Sequence, residues 1–88
     1  MALYIDPPIW RARGLLWSHL ISDVSFEELH AFADRMGAPR RAFERDHYDV
    51  PEEAYAAAVR LGAQEVGCQE LLGHLRRSGL RRPKFAVR

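Results

Sequence analysis

Four consecutive residues, Asp46-His47-Tyr48-Asp49, carry the densest chemistry in the chain: two carboxylates, an imidazole and a phenol. Such a set can ligate a metal, carry a proton and orient the proton carrier through a neighbouring acid. In extended backbone alternate residues share a face, so His47 and Asp49 would point one way and Asp46 and Tyr48 the other. Two further polar groups stand elsewhere. Asp6 directly follows a short apolar run, and His19 lies in Trp17-Ser18-His19-Leu20. If the runs ending at Asp6 and at Asp46 are parallel strands of one sheet, their tips share an edge, and open α/β sheets bind ligands at that edge. Asp6, His19 and His47 are then the candidate catalytic groups. Asp6, His19, His47 and Asp49 are the candidate ligands of a divalent metal ion, which would lower the pKa of a bound water.

Each of these residues also has a plainer use. Asp6 can bond the amides of its own turn. A histidine among apolar neighbours, like His19, often serves as a hydrogen-bonded core residue, and Asp23 is another possible partner for it. Asp49 can cap the helix that follows. The candidate substrate-binding residues are Trp10, Trp17, His30, Arg40, Arg41 and Tyr48. Trp10 and Trp17 flank a loop and could wall a pocket or pack onto the core. His30 borders the apolar stripe of a helix, while Arg40 and Arg41 precede the acidic cluster and could receive an anion. The chain has no His-Glu-x-x-His run, no Cys-x-x-Cys pair, no EF-hand loop and no glycine-rich phosphate loop. Ser18 beside His19 is not a triad. Cys68 opens a helix, where a thiol pKa can fall, although a small buried cysteine is the commoner reading.

Positioning these groups falls to a short set of elements. Residues 2–5 read as a buried strand that Asp6-Pro7-Pro8 ends. Residues 9–14 read as loop, and residues 15–21 fit either a short helix or an extended apolar segment. Ser25 with Glu28 forms a capping box, Phe26, Leu29, Phe32, Ala33 and Met36 mark one helical stripe, and Gly37 and Pro39 stop the helix. Residues 40–46 are expected as a strand. Pro51-Glu52-Glu53 opens a second helix that closes at Gly62. Residues 63–66 suggest a third strand, and residues 69–78 a last helix capped by Gly79. A final strand over residues 84–87 is also conceivable. Alternation of strand and helix predicts an α/β fold: a small, mainly parallel sheet of about three strands covered by helices.

With 88 residues, 48% hydrophobic and 28% charged, the chain is of single-domain size and ordinary composition. Residues 1–80 are expected to form the domain and residues 81–88 a basic tail. The net charge of +1 gives no bulk argument for nucleic acid. Arg76, Arg77, Arg81, Arg82, Lys84 and Arg88 do crowd the C-terminal end, so nucleic-acid contact through the tail is a minor alternative to a solvated surface. The single cysteine excludes an intrachain disulfide and a thiolate cluster. No apolar run reaches transmembrane length and no signal peptide is evident, so a cytoplasmic protein without membrane contact is expected. Homo-oligomerisation would suit so small a core.

The runs Tyr4-Ile5-Asp6-Pro7-Pro8-Ile9-Trp10, Leu16-Trp17-Ser18-His19-Leu20, Glu28-Leu29-His30-Ala31-Phe32-Ala33 and Phe43 with Asp46-His47-Tyr48-Asp49-Val50-Pro51 resemble a family of small bacterial and phage proteins. That family is catalogued as domain of unknown function 4031, and the resemblance spans residues 3–83. It implies that Asp6, Trp10, Trp17, His19, His30, Asp46, His47, Tyr48 and Asp49 form a signature, and it brings no activity. Two readings follow from the residues. One is a metal-dependent hydrolase acting on a small polar or phosphorylated compound. The other is a non-enzymatic module binding protein or nucleic acid, in which the His/Asp cluster is structural.

Overall fold

The computed structural model describes residues 2–83, so the conceivable strand over 84–87 lies outside the described residues. Six strands and three helices follow in order: β1 (Leu3–Ile5), β2 (Trp10–Ala12), β3 (Leu15–Ser22), α1 (Phe26–Met36), β4 (Phe43–Glu44), β5 (His47–Pro51), α2 (Tyr55–Arg60), β6 (Gln64–Glu65) and α3 (Cys68–Ser78). Single 3₁₀ turns at Arg40–Ala42 and Glu52–Ala54 precede β4 and α2.

β3 is the strand around which the sheet is built. It pairs antiparallel with β5 along one side and with both β1 and β2 along the other. The sheet order is β4-β5-β3-β1-β6, with β6 parallel to β1. The sheet is therefore six-stranded and mixed, mostly antiparallel, which corrects the expected small parallel sheet of about three strands. Its cause is local. Ala12 and Leu15 pair across a two-residue connection, Arg13-Gly14, in which both residues have positive φ (51° and 77°). That is the type I′ hairpin turn, whose twist matches the strands it joins. So short a link can only join antiparallel neighbours. The segment expected as loop becomes β2, and the ambiguous apolar segment becomes an eight-residue strand. The alternation of strands and helices was still informative. β1, β5 and β6 run in one direction, and β3, lying between β1 and β5, runs against them.

Helices cover both faces. On one, Leu29, Phe32 and Ala33 of α1 and Ala58 of α2 pack on Ile5, Leu20, Tyr48 and Val50. On the other, Leu71 and Leu75 of α3 pack on Ile21, with Tyr4 and Leu80 at the margin. The α1 start is held much as expected: the Ser25 hydroxyl accepts from the Glu28 amide at 3.0 Å. The reciprocal half of the capping box is replaced. The Glu28 carboxylate accepts instead from the buried Ser22 hydroxyl, which itself accepts from the amides of Val24 and Ser25. Gly37 (φ 81°) and Gly79 (φ 82°) close α1 and α3 in the left-handed conformation a Cβ would resist. Asp49 does not cap the second helix; it lies within β5, and Pro51 precedes the 3₁₀ turn without a side-chain cap. Among the described residues, no helix is long and apolar enough to cross a membrane.

The β3 assignment has a direct consequence for stability. Leu20 is fully buried in the main core, whereas Leu15 near the hairpin turn is 38% exposed. Leu20→Ala is expected to cost about 2–5 kcal/mol and Leu15→Ala under about 1 kcal/mol in urea unfolding. Equal losses at the two positions would contradict this strand register.

Candidate metal centre

Strand alternation builds the site on the α3 face of the sheet. In β5, Tyr48 and Val50 turn into the α1 core, which sends His47 and Asp49 to the opposite face. In β3, Leu20 does the same and sends His19 there as well. His19 and Asp49 are direct cross-strand partners in the β3–β5 register. Each of His19, His47 and Asp49 offers one potential ligand atom, and these atoms lie within 4.8 Å of one another. The site thus sits on a sheet face between two antiparallel strands. The expected location, the carboxyl edge of parallel strands, is corrected accordingly.

Each imidazole is oriented by a carboxylate buried behind it. Asp6 is 1% exposed. Its Oδ2 lies 2.9 Å from His19 Nδ1, and its Oδ1 accepts from the His19 backbone amide at 2.6 Å. Asp46, also 1% exposed, sets Oδ1 at 2.8 Å from His47 Nδ1. With both Nδ1 atoms engaged, the two Nε2 atoms remain as the ligating atoms, the arrangement that metal-binding histidines commonly adopt. Asp6 is therefore an orienting carboxylate and lies outside the convergent set, contrary to its expected place among the ligands. Asp49 Oδ1 faces His47 Nε2 as an ion pair at 3.0 Å and is otherwise buried without a donor among the described residues. Two ligand atoms about 2.1 Å from one cation and about 90° apart would be separated by about 3.0 Å.

The second oxygen of Asp46 is occupied from far along the chain. Oδ2 accepts from the Arg81 guanidinium at 3.1 Å and from the Arg82 backbone amide at 2.7 Å. Burial opposes the charge on Asp46, yet the donors His47, Arg82 and Arg81 hold its carboxyl below the usual range. Burial likewise opposes a charged His47, but Asp46 and Asp49 outweigh it and push its pKa up to about 9. In the metal-free site at neutral pH, a proton therefore sits where two carboxylates converge on one imidazole.

The tryptophans wall this cluster. Trp10 stacks on His19 with ring centroids 5.2 Å apart, and Trp17 lies 6.0 Å from Trp10. The Trp17 indole donates to the Ala12 carbonyl, while Arg13 lies over its ring. A cleft of about 600 Å³ opens mostly on the α1 side, lined by Met36, Ala42 and Val50 together with Arg13, Trp17, Arg41 and Asp49, and neither histidine lines it. It borders the cluster through Trp17 and Asp49. Among the described residues Arg13 and Arg41 have no acidic partner.

The remaining expected site residues lie elsewhere. His30 and Tyr48 are bonded to each other at 2.7 Å on the α1 face, packed against Phe43, and do not meet His19 or His47. Arg40 stands in the 3₁₀ turn before β4, outside the cleft lining that holds Arg41. Asp23 accepts from the Ala2 amide and the Tyr4 hydroxyl and leaves His19 to Asp6. At Cys68, desolvation and the neighbouring Asp6 carboxylate push the thiol pKa up, so the helix start does not activate it. Arg81 and Arg82, read as part of a free tail, were missed as site residues. No local pattern marks a contact across 35 positions.

A family model described as "Protein of unknown function (DUF4031)" matches residues 3–78. The chain belongs to that family. No curated protein and no solved structure gives a significant match to it. Within this DUF4031 domain the model reaches all of β1 to α3, and so includes His19, His47, Asp49 and both orienting aspartates, while Arg81 and Arg82 fall beyond it.

His47 binds its proton more tightly in the folded chain than in the unfolded one. Below about pH 6.5 both states are protonated and the stabilisation is complete; as pH rises through about 9 the folded state loses the proton and the stabilisation disappears. Chelator-treated protein is expected to lose up to about 3 kcal/mol across that window. Urea titrations of wild type and His47→Gln at several pH values measure it: the wild type should decline as pH rises, and the variant should be flat.

Proposed function

We propose that this domain is a metal-dependent hydrolase acting on a small phosphorylated compound, with His19, His47 and Asp49 holding a divalent cation. One observation carries the reading: two imidazoles, each backed by a buried aspartate on Nδ1, converge with an Asp49 carboxylate oxygen that is buried and has no partner but the His47 ring among the described residues. Two imidazole nitrogens and one carboxylate oxygen suit zinc, iron or manganese, and three protein ligands leave room for a water molecule and substrate. Bound there, the cation would supply a water of lowered pKa and a Lewis acid for a phosphoryl oxygen.

The protein's own groups support a phosphorylated substrate. Arg13 and Arg41 line the cleft that Asp49 shares, and free guanidinium groups are suited to paired hydrogen bonds with phosphate. Apolar residues of the same cleft, including Met36, Ala42 and Pro51, would take the uncharged part of the molecule. Trp10, stacked on His19, limits water on that side. Of the C-terminal basic residues, Arg81 is engaged by Asp46 and Arg82 lies over Phe26, so these two are not free to hold a nucleic acid.

A non-enzymatic module remains the second reading, and one observation favours it. A protonated His47 between Asp46 and Asp49 is already a charge-compensated unit and needs no metal to persist.

Elemental analysis after reconstitution with zinc and manganese separates the two. About one equivalent of metal per chain is expected in the wild type. His19→Ala and Asp49→Asn should bind at least about 100-fold more weakly, with hydrolysis of p-nitrophenyl phosphate falling in parallel. Wild type that takes up no divalent metal at micromolar concentration would leave the structural reading standing.

A further inference from the structure

The strongest internal contact not yet given a role is the one between the segment after α3 and Asp46. Asp46 is buried at the β4–β5 turn and makes three side-chain bonds: His47 takes Oδ1, while Arg81 and the Arg82 amide take Oδ2. Arg45 adopts a positive φ of 58°, and the Asp46 amide reaches back only to the Glu44 carbonyl, at 2.6 Å. That three-residue turn is a strained form. The segment after α3 is in turn anchored independently of Asp46. Leu80 packs with Leu71, Leu75 and Ile21, and the Arg82 guanidinium lies 4.4 Å over the Phe26 ring.

We infer that Arg81 and the backbone amide of Arg82 act as a strap that positions His47 for the cation, using Asp46 as the relay. The cation site itself is the one proposed above, and this inference rests on that reading. The strap holds the Asp46 carboxylate where its Oδ1 meets His47 Nδ1, so that Nε2 is the nitrogen turned toward the cation. Without it, the carboxylate can rotate on the strained turn and His47 loses its fixed orientation. Arg81, Arg82 and Asp46 are positioning residues; none of them approaches the cation. The support for His47 thus comes from residues 81 and 82, which lie beyond residues 3–78 matched by the family model.

The test uses full-length protein and cobalt(II) as probe, with affinity read from its visible absorption. In parallel, the His47 ring N–H proton is observed by NMR in metal-free protein. Arg82→Pro deletes the N–H donor, whereas Arg82→Ala keeps it and removes only the guanidinium. Arg81→Ala and Arg81→Lys form the second pair, Lys preserving the charge. Loss of such supporting contacts typically costs about 10- to 100-fold in metal affinity. Arg82→Pro and Arg81→Ala are each expected to weaken cobalt binding by about 10-fold or more, and to broaden the His47 ring resonance. Arg82→Ala and Arg81→Lys should stay within about 3-fold, which shows that lost packing or stability is not the cause. If Arg82→Pro and Arg81→Ala both bind cobalt as the wild type does and keep a sharp ring resonance, the strap is refuted. If the wild type binds no cobalt, the metal reading fails. The strap is then judged by the ring resonance alone: broadening in Arg82→Pro but not in Arg82→Ala upholds it, and no change in either overturns it.

Discussion

Once β3 and β5 pair with His19 opposite Asp49, the side-chain period of two leaves no choice about the rest. Leu20, Tyr48 and Val50 must enter the α1 core, and His19, His47 and Asp49 must share the other face. A slip of one residue in β5 would bury His47 and Asp49 among leucine and phenylalanine side chains and expose the Tyr48 ring. The hydrophobic core thus sets the register, and the register sets the polar cluster. Neither β3 nor β5 needs sequence information specific to chemistry to deliver the groups within 4.8 Å of one another.

Holding the cluster in one geometry demands carboxylates away from water, and that is costly. An ionised aspartate at the exposure of Asp6 or Asp46 would be untenable alone. Both are retained with every nearby donor aimed at them: an amide and an imidazole on Asp6, an imidazole, a guanidinium and an amide on Asp46. Networks of this kind add little net stability compared with an apolar packing of the same volume, but they fix orientation. Their presence behind both histidines, with Asp49 Oδ1 in front facing only the His47 ring among the described residues, gives the cluster a polarity: fully bonded at the back, sparsely bonded at the front.

Much of this was legible in the residues, and the reasons for the failures are physical. Alternation in Asp46-His47-Tyr48-Asp49 correctly separated His47 and Asp49 from Tyr48. The Ser25 cap and the glycines 37 and 79 correctly bounded their helices. Residues 15–21 were ambiguous because an apolar run carries no period. What decides it is the Arg13-Gly14 turn, whose first residue takes a conformation arginine rarely adopts. Missing that turn hid β2 and the antiparallel centre of the sheet. His30, from its place beside the apolar stripe, and Tyr48, from its place in the acidic cluster, were grouped with the site, although the helical and strand periods send both into the α1 layer. The contact of Arg81 and Arg82 with Asp46 depends on where α3 ends in space, which no short-range pattern encodes.

The interruption between β1 and β2 bears on how this protein could change over time. Ile5 pairs with Leu20 and Trp10 with Trp17, so four residues on one strand span two on the other, and Pro7-Pro8 occupy the excess. Where the ladder lapses, the His19 amide finds its acceptor in the Asp6 side chain. One carboxylate therefore serves as a rung of the sheet and as the rudder of an imidazole. A descendant that abandoned the chemistry would still require Asp6 to close the sheet. The persistence of that aspartate in a relative would then testify to architecture, and only the side chains of His19, His47 and Asp49, which the sheet does not need, would testify to use.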